Sequence, residues 1–345
     1  MTSLAHTRFT SRLSLVSLCV ALAASMGCAS ASNARPSVAA APTRHPPDVH
    51  GDPLALLPHG AVAWARIDAA TLRASPYFEE GLTMARELGA DLTLLERELG
   101  FDAIHRAERV ALAVYLPPGS GAANGWPLVY ARGAFDREAL LTAAAARPEA
   151  HGARSEITEH GVTFTVVGDR AYVFPASDVM LVMERALARR VAARLSGESS
   201  RSVLTDDRFT ALWQSAGGMA GPFAAAVDLE AIRPQLRGQP RPPEADSLMA
   251  IVAHGEAPDS VTLHAAGRAR DRNAAHMIVR TIDDARAEVA GQIAVRLLGL
   301  SRVLREGVHT NESDDTVRVD IEMRPEEARR VVRATALVRE LTGGS

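Results

Sequence analysis

Two aspartate–arginine pairs lie at corresponding places in the chain, and their residue types are suited to acid–base chemistry. Asp68 is followed five residues later by Arg73, and Asp228 five residues later by Arg233. Each aspartate ends a predicted strand, so the pairs could line a pseudo-symmetric pocket in which the two carboxylates hydrolyse a substrate. An aspartate in this position more often caps the next helix and leaves the arginine in solvent. We favour that structural role and keep the four residues as candidate binding positions.

A metal site would form if two histidines met across neighbouring strands. His254, Glu256 and His264 have the residue types that it needs. The chain lacks a His-Glu-x-x-His motif, a close histidine pair on one helical face and a third ligand at a telling distance. We therefore expect no metal ion and no other cofactor.

An acidic cluster near the C-terminus could hold calcium. Its spacing lacks the central glycine and the distant glutamate of a calcium-binding loop, and an exposed hairpin with acidic edge residues explains it better. The cluster consists of Glu312, Asp314, Asp315, Asp320 and Glu322.

Two short glycine-rich segments lack the context that catalysis needs. Gly119-Ser120-Gly121 is not a Gly-x-Ser-x-Gly elbow and lies in a loop rich in proline and glycine. Residues 217–221, Gly-Gly-Met-Ala-Gly, precede a predicted strand, whereas phosphate and dinucleotide loops follow one. Both segments are predicted to be loops.

The charged residues exclude several classes of function. The chain contains 38 basic residues, all of them arginine, against 41 acidic residues, for a formal net charge of −3. Every mechanism that needs a lysine amine is excluded, including Schiff-base chemistry, the phosphate-loop lysine and the Ser-x-x-Lys dyad. The acidic balance also argues against nucleic acid as a partner.

The N-terminus has the three parts of a secretory leader. Arg8 and Arg12 provide a positive start, residues 13–24 are apolar, and small residues precede Cys28. The apolar run is too short to span a bilayer, which needs about 20 apolar residues. Cys19 leaves with the leader, so the mature chain would contain Cys28 alone and no internal disulfide.

The sequence Ser25-Met26-Gly27-Cys28 resembles the end of a bacterial lipoprotein signal, with serine where leucine is commonest. The resemblance implies that residues 1–27 are removed and that Cys28 carries several acyl chains, which together anchor the protein stably to a membrane. Since residue 29 is alanine rather than aspartate, it also implies the outer membrane, with the body facing the periplasm. An ordinary secretory signal cut near residue 31 is the alternative.

The remaining sequence predicts a tether and a folded body. Residues 28–53 are rich in Ser, Ala, Pro, Asn and His, without apolar periodicity, and are predicted to be a disordered tether. The body is predicted to be α+β, with two related halves, 54–200 and 201–345, each mainly antiparallel sheet with packed helices. Predicted strands cover residues 61–67, 109–116 and 127–133 and a group over 155–174; predicted helices begin at 136, 180 and 325 and end, for the last two, at 195 and 341.

Two pairs of matching segments indicate that the halves are duplicated. Residues 65–73 and 226–233 share Asp-x-x-x-(Leu/Ile)-Arg, and residues 133–137 match 267–272, each pair at a strand-to-helix junction. The first half carries an excess that matches a predicted helical insertion over 75–99. This layout, with its Leu-Pro opening and aspartate-terminated strand over 56–68, resembles uncharacterised repeat-containing bacterial envelope proteins. The resemblance implies a fold and no activity.

Two exposed segments suit binding. The loop 117–126 ends in Trp126, an amphipathic side chain common at interfaces, although it could also fold back onto the sheet. The Arg-Pro-rich segment 233–243 contains Arg237 and Arg241, which could present guanidinium groups to a carboxylate, a phosphate or a peptidoglycan acid, or serve as a plain connector.

We therefore expect a membrane-anchored envelope lipoprotein that binds or scaffolds an envelope protein or a cell-wall component, more than we expect an enzyme. One alternative is a cofactor-free hydrolase that uses Asp68 and Asp228. Another is a small-solute receptor with a pocket between the two halves.

Overall fold

The computed structural model describes most of the chain beyond the predicted leader. The described residues are 45–75, 78–79, 82–83, 101–117, 125–147, 154–236, 243–256, 261–291, 299–324, 326–328 and 330. Cys28, most of the predicted insertion over 75–99 and most of the predicted helix over 325–341 lie outside them. Helices and antiparallel strands are both abundant, which confirms the mixed α+β class.

Helices and strands alternate along the described residues. The strands are β1 (Ala63–Asp68), β2 (Ala107–Tyr115), β3 (Trp126–Gly133), β4 (Arg154–Glu159), β5 (Val162–Val167), β6 (Arg170–Ala176), β7 (Val179–Glu184), β8 (Phe223–Asp228), β9 (Leu248–Glu256), β10 (Val261–Ala269), β11 (Val308–Ser313) and β12 (Thr316–Met323). The α-helices are α1 (Ala69–Arg73), α2 (Ala103–Arg106), α3 (Arg137–Ala145), α4 (Ala188–Leu195), α5 (Asp207–Ser215), α6 (Leu229–Ile232) and α7 (Arg272–Gly291). Short 3₁₀-helices cover Pro53–Ala55, Arg185–Leu187, Val203–Thr205, Arg233–Leu236 and Pro243–Ser247, and a π-helical turn covers Val303–Gly307.

The chain divides into two compact units. Among the described residues, unit 1 takes in those of 35–70 and 92–207, and unit 2 takes in those of 71–91 and 208–345. The strands of unit 1 are ordered β1-β2-β3-β7-β6-β5-β4, and each neighbouring pair is antiparallel. The strands of unit 2 are ordered β8-β9-β10-β12-β11, again antiparallel throughout.

Each unit buries a core against its sheet. In unit 1 the side chains of Tyr115, Tyr130 and Phe164 are completely buried. In unit 2, α7 packs Ala275 and Ile278 against the sheet, and their spacing of three residues places both on one helical face. Helix α7 therefore covers part of one face of this sheet, and the polar side chains of His264, Arg318 and Asp320 lie on the other face.

One predicted helix is wrong in its first half. The sequence favoured a helix over 180–195, but residues Val179–Glu184 form the strand β7 and only Ala188–Leu195 are α-helical. All six residues of β7 are buried, and its run Met-Leu-Val-Met has no polar residue to reveal a period of two. The strand group over 155–174 is confirmed as β4, β5 and β6, and Asp136 caps α3 by accepting from the Ala139 N–H at 3.0 Å.

Candidate functional site

The segment just before the fold lies on the sheet of unit 1 and is held there by side chains of three strands. We call residues 48–52 the strap. The Tyr130 hydroxyl donates to the Val49 carbonyl at 3.2 Å, and Arg132 Nη1 donates to the His50 carbonyl at 3.3 Å. Arg109 Nη1 donates to the Gly51 carbonyl at 3.2 Å. Three consecutive main-chain carbonyls are therefore bound by the sheet.

A fourth contact ends the strap. Arg66 Nη1 donates to Asp52 Oδ2 at 3.1 Å, and Asp52 in turn accepts from the Leu54 N–H and caps the first 3₁₀-helix. We call Arg66, Arg109, Tyr130 and Arg132 the clamp.

Strand register explains why the clamp residues share a face. Arg109 of β2 is paired with Arg132 of β3, and Arg66 of β1 lies in the neighbouring row, opposite Ala111. Residues two apart on a strand point to the same side. The sequence reasoning missed the clamp. The sequence did contain a signal for it: Arg66, Arg109 and Arg132 each lie in a predicted strand that is otherwise mostly apolar.

The strap is also held by charge. The hydrogen bond from His50 Nε2 to Asp178, at 2.9 Å, lowers the pKa of Asp178, although partial burial acts in the opposite direction. Burial raises the pKa of Tyr130 to about 12, although the nearby Arg132 and Arg109 act to lower it. Tyr130 therefore keeps its proton and remains a donor at physiological pH.

These contacts change the predicted extent of the tether. The tether was expected to be disordered as far as residue 53, whereas residues 48–52 are bound to unit 1 and Pro53–Ala55 are 3₁₀-helical with Pro53 and Leu54 buried. Polar composition alone predicted disorder, and the stabilising partners lie 14 to 128 positions further along the chain.

The predicted Asp/Arg pairs are engaged locally. Asp228 caps α6 by accepting from the Ala231 N–H at 3.0 Å, and its other oxygen accepts from Arg208 at 2.8 Å. Arg233 instead donates to the carbonyl oxygens of Asp246 and Leu248, which fixes the start of β9. Asp228 and Arg233 thus bind separate partners, and the capping role that the sequence favoured is confirmed at Asp228.

Of the other candidates, Asp68 and Trp126 belong to unit 1 and Arg73 to unit 2. Asp68 closes β1, and its described ion pair is with Arg109, at 3.9 Å. Arg73 is the last residue of α1 and is half-buried. Trp126 begins β3, opposite Tyr115, and is half-buried in the sheet. Arg237, Arg241 and most of the loop before Trp126 lie outside the described residues.

Unit 2 places a row of histidines across its sheet. His254 of β9 is paired with His264 of β10, His264 with Asp320 of β12, and Asp320 with His309 of β11. We call these four residues the histidine row. The rings of His254 and His264 are stacked, with centroids 4.8 Å apart and planes inclined by 27°. The predicted cross-strand meeting of His254 and His264 is confirmed.

Burial changes steadily along the row. His254 is 1% exposed, whereas the side chains of His264 and Asp320 are 21% and 26% exposed and His309 is classed as exposed. His264 Nδ1 lies 2.6 Å from Asp320 Oδ1 and, because a carboxylate only accepts, must carry the proton. Its Nε2 atom then remains available to accept when the ring is neutral.

Arg318 completes the charges at this site. Its Nε and Nη2 atoms donate to the two oxygens of Asp320 at 2.7 and 3.1 Å. Partial burial acts to raise the pKa of Asp320, but the hydrogen bonds from Arg318 and His264 outweigh it and lower that pKa below its usual range. The exposed Asn311 and Glu322 flank the row on the same face. The surface can thus offer hydrogen-bond donors and acceptors together.

The acidic hairpin is confirmed as β11 and β12, and its residues are shared among separate partners. Glu312 binds His276 at 3.1 Å, and Asp314 binds Arg272 at 3.0 Å. Among the described residues, no group of three or more His, Cys, Asp or Glu side chains is arranged to hold a metal ion. No helix within the described ranges is long and apolar enough to cross a membrane.

Comparison with known proteins gives a weak likeness in fold. No protein-family model matches the chain, and no curated protein matches it significantly. Crystal form III of TP0453 superposes with a TM-score of 0.42 and 14% identity, covering 84% of this chain and 100% of that chain. Crystal form IV gives 0.42 and 14%, with coverages of 83% and 95%, and crystal form I gives 0.38 and 12%, with coverages of 83% and 97%.

Proposed function

We propose that the protein is a lipid-anchored envelope protein with a binding or scaffolding role. Cys28 carries the lipid, unit 1 grips the end of the tether, and unit 2 presents the exposed part of the histidine row and Arg318 to a partner. The observation that carries the proposal is the clamp, which binds the strap through three consecutive carbonyls and one carboxylate.

The clamp gives an anchored body a defined point of attachment. About 20 residues separate Cys28 from the strap, and a flexible chain of that length has a typical end-to-end distance of about 25 Å. If the strap were not bound, a pull on the tether would act directly on the buried 3₁₀-helix that begins at Pro53. Clamping spreads any pull over β1, β2 and β3 of unit 1. We place the anchor in the outer membrane, facing the periplasm, because alanine follows Cys28.

The partner-binding surface lies on unit 2. Arg318 is 40% exposed, His309 and Asn311 are exposed, and Glu322 adds an acceptor. Such a mixture suits an envelope protein or a cell-wall component that offers carboxylate, amide and hydroxyl groups. The carboxylate of Asp228, by contrast, is already occupied by a helix cap and Arg208, so the structure offers no support for the hydrolase alternative.

We also propose that the two units are duplicated copies. In each unit the first strand pairs with the second, the second with the third and the third with the last strand of a hairpin. A matching hydrogen bond supports this. The N–H of Gly133 donates to the Asp178 carbonyl at 2.9 Å, and the N–H of Ala269 donates to the Asp315 carbonyl at 2.7 Å. In both units the last residue of the third strand thus binds the turn of that hairpin.

Membrane fractionation with affinity recovery tests the proposed function. The tagged full chain is compared with Cys28→Ser and with Cys19→Ser, whose cysteine lies in the leader and serves as the matched control. We expect the wild type and Cys19→Ser to sediment with membranes and recover the same envelope component, and Cys28→Ser to lose both properties. Equal membrane association of Cys28→Ser would contradict the anchor. Recovery of no component from any form would contradict the binding role.

A further inference from the structure

A glycine-rich loop and a buried histidine that the proposed function does not use meet in unit 2. His254 is 1% exposed, and both of its ring nitrogens face main-chain carbonyl oxygens. Nε2 lies 2.9 Å from the Ala216 carbonyl, and Nδ1 lies 3.1 Å from the Ala220 carbonyl. These two carbonyls flank Gly217, Gly218 and Met219, in the connection between α5 and β8. His254 therefore bridges both ends of the loop.

The two contacts can both be hydrogen bonds in one protonation state only. A carbonyl oxygen accepts and never donates, and a neutral imidazole carries a single N–H. The imidazolium form carries two. We propose that His254 is doubly protonated in the native protein at neutral pH and that its charge latches residues 216–221 onto the sheet of unit 2. Losing the proton turns one contact into a repulsion between two lone pairs.

Burial of His254 opposes a positive charge on its ring, and neighbouring groups offset that cost. The Ala216 carbonyl follows the last turn of α5, where Ala216 N bonds the Leu212 carbonyl, and the C-terminal end of a helix attracts cations. His264 of β10 stacks on the ring and donates to Asp320 of β12, so that a carboxylate lies one residue away across the sheet.

Several further described groups lie around His254. Arg318 of β12 is the positive charge that opposes it, and that charge is compensated by two hydrogen bonds to Asp320. Trp213 of α5 contributes a ring with its centroid 6.3 Å away, and Ala224 is the paired residue on β8. Glu256 occupies the position two residues further along β9.

The loop begins with a helix-ending turn, in which the N–H groups of Gly217 and Gly218 donate to the carbonyls of Gln214 and Trp213, and His254 contacts the carbonyls at both of its ends. Gly217, Gly218 and Gly221 have φ of +88°, +112° and +86°, in the region that favours glycine. A Cβ atom added at Gly217 or Gly218 would meet nothing within 4 Å, so no side chain packs on that side of either glycine. Glycine loses more conformational freedom on ordering than any other residue. When His254 is neutral, we expect the loop to open more often.

Histidine ring NMR tests the protonation state directly. The full chain carrying Cys28→Ser is labelled with ¹⁵N, and the ring nitrogens are recorded from pH 6 to pH 9 against the ordinary histidine pKa of about 6.5. We expect one ring to show two protonated nitrogens at pH 8, and that signal to disappear in His254→Gln. If every ring at pH 8 contains an unprotonated nitrogen, the proposal is overturned, and this result needs no variant that might not fold.

Hydrogen exchange tests the latch itself. Exchange of the amides in 216–221 is corrected for its intrinsic pH dependence and compared with His276→Gln, the matched control at the exposed pair with Glu312. We expect protection to fall at least tenfold as His254 loses its proton in the wild type and in the control, and to be low at every pH in His254→Gln. Protection that is independent of pH from 6 to 9 would overturn the latch.

Discussion

Unit 1 and unit 2 use the same row of their sheets in different ways. In unit 1 the row reads Asp68, Arg109, Arg132 across β1, β2 and β3. In unit 2 the corresponding row is Asp228, Ala250 and Arg268 across β8, β9 and β10. The middle arginine, which binds both Asp68 and the Gly51 carbonyl in unit 1, is replaced by alanine in unit 2.

The consequence of this difference is visible in the charge partners. The arginine that binds Asp228 is Arg208 of α5, whereas the arginine that binds Asp68 lies on the neighbouring strand. In unit 1 the strand arginines bind the strap. In unit 2 polar side chains on β11 and β12 remain exposed. Two sheets whose first three strands are paired in the same antiparallel order therefore differ in the contacts that their side chains make.

The largest loss of stability is expected at Arg194, which binds the 3₁₀-helix that follows the strap. Arg194 of α4 is 9% exposed, and it donates to the carbonyls of Ala55 and Ser199 at 2.6 and 2.8 Å. Arg194→Ala leaves both carbonyls without this donor, and we expect a loss of about 2–3 kcal/mol in the free energy of unfolding. Urea unfolding measures it, with the exposed Arg189→Ala on the same helix as control. Equal stability of the two variants would break the account of unit 1.

The next effect concerns the clamp. The double variant Arg109→Ala/Arg132→Ala removes two donors to strap carbonyls, and we expect it to cost about 1–3 kcal/mol, since each such bond contributes about 0.5–1.5 kcal/mol. A non-specific protease should then cleave the strap faster. Arg268→Ala, at the corresponding row of unit 2, is the matched control and should leave strap cleavage unchanged. If both variants cleave alike, the strap is not held by the clamp.

Local chemistry made parts of the fold predictable, and distant contacts made other parts unpredictable. Asp136 and Asp228 were recognised as helix caps because a cap lies within three residues of the N–H that it binds. The strap was mistaken for disordered chain because its partners, such as Arg132, are far away in sequence. Strand β7 was mistaken for helix because a fully buried run has no periodicity.

In the candidate site, too, contacts between residues near in sequence were predictable and contacts between distant residues were not. The pairing of His254 with His264 was predictable, since a short hairpin places them in register. Asp320 and His309 joined them only through the later hairpin β11–β12. Asp228 and Arg233 were grouped because their spacing matches that of Asp68 and Arg73. In the structure, Arg233 donates to the Leu248 carbonyl at the start of β9.

A smaller effect sharpens the contrast through pH. Arg318 and His264 hold the pKa of Asp320 below its unfolded value, so the stabilisation is present above about pH 4 and is lost as pH falls through the folded pKa. Arg318→Gln should therefore reduce stability at pH 6 and flatten the decline in acid, so that its curve converges with that of the wild type as pH falls through the folded pKa of Asp320. Arg272→Gln, at the exposed pair with Asp314, is the control and should follow the wild-type curve. Parallel curves for Arg318→Gln would show that Asp320 does not depend on Arg318.

The smallest effect is expected at Tyr130. Tyr130→Phe removes a single hydrogen bond to the Val49 carbonyl and keeps the buried ring, so that we expect a loss of about 0.5–1.5 kcal/mol. Thermal unfolding and the same protease assay measure it. A strap that becomes as sensitive as in the arginine double variant would move the main hold from the arginines to the tyrosine.

Site-specific photo-crosslinking in cells tests the central claim most directly. A photoreactive residue is placed at Asn311, on the exposed face of unit 2, or at Glu156, on the exposed strand β4 of unit 1. Each is examined with Cys28 intact and with Cys28→Ser. The account predicts an adduct with an envelope component from position 311 that depends on Cys28, and none from position 156. No adduct from 311, or the same adduct from both positions, would contradict it.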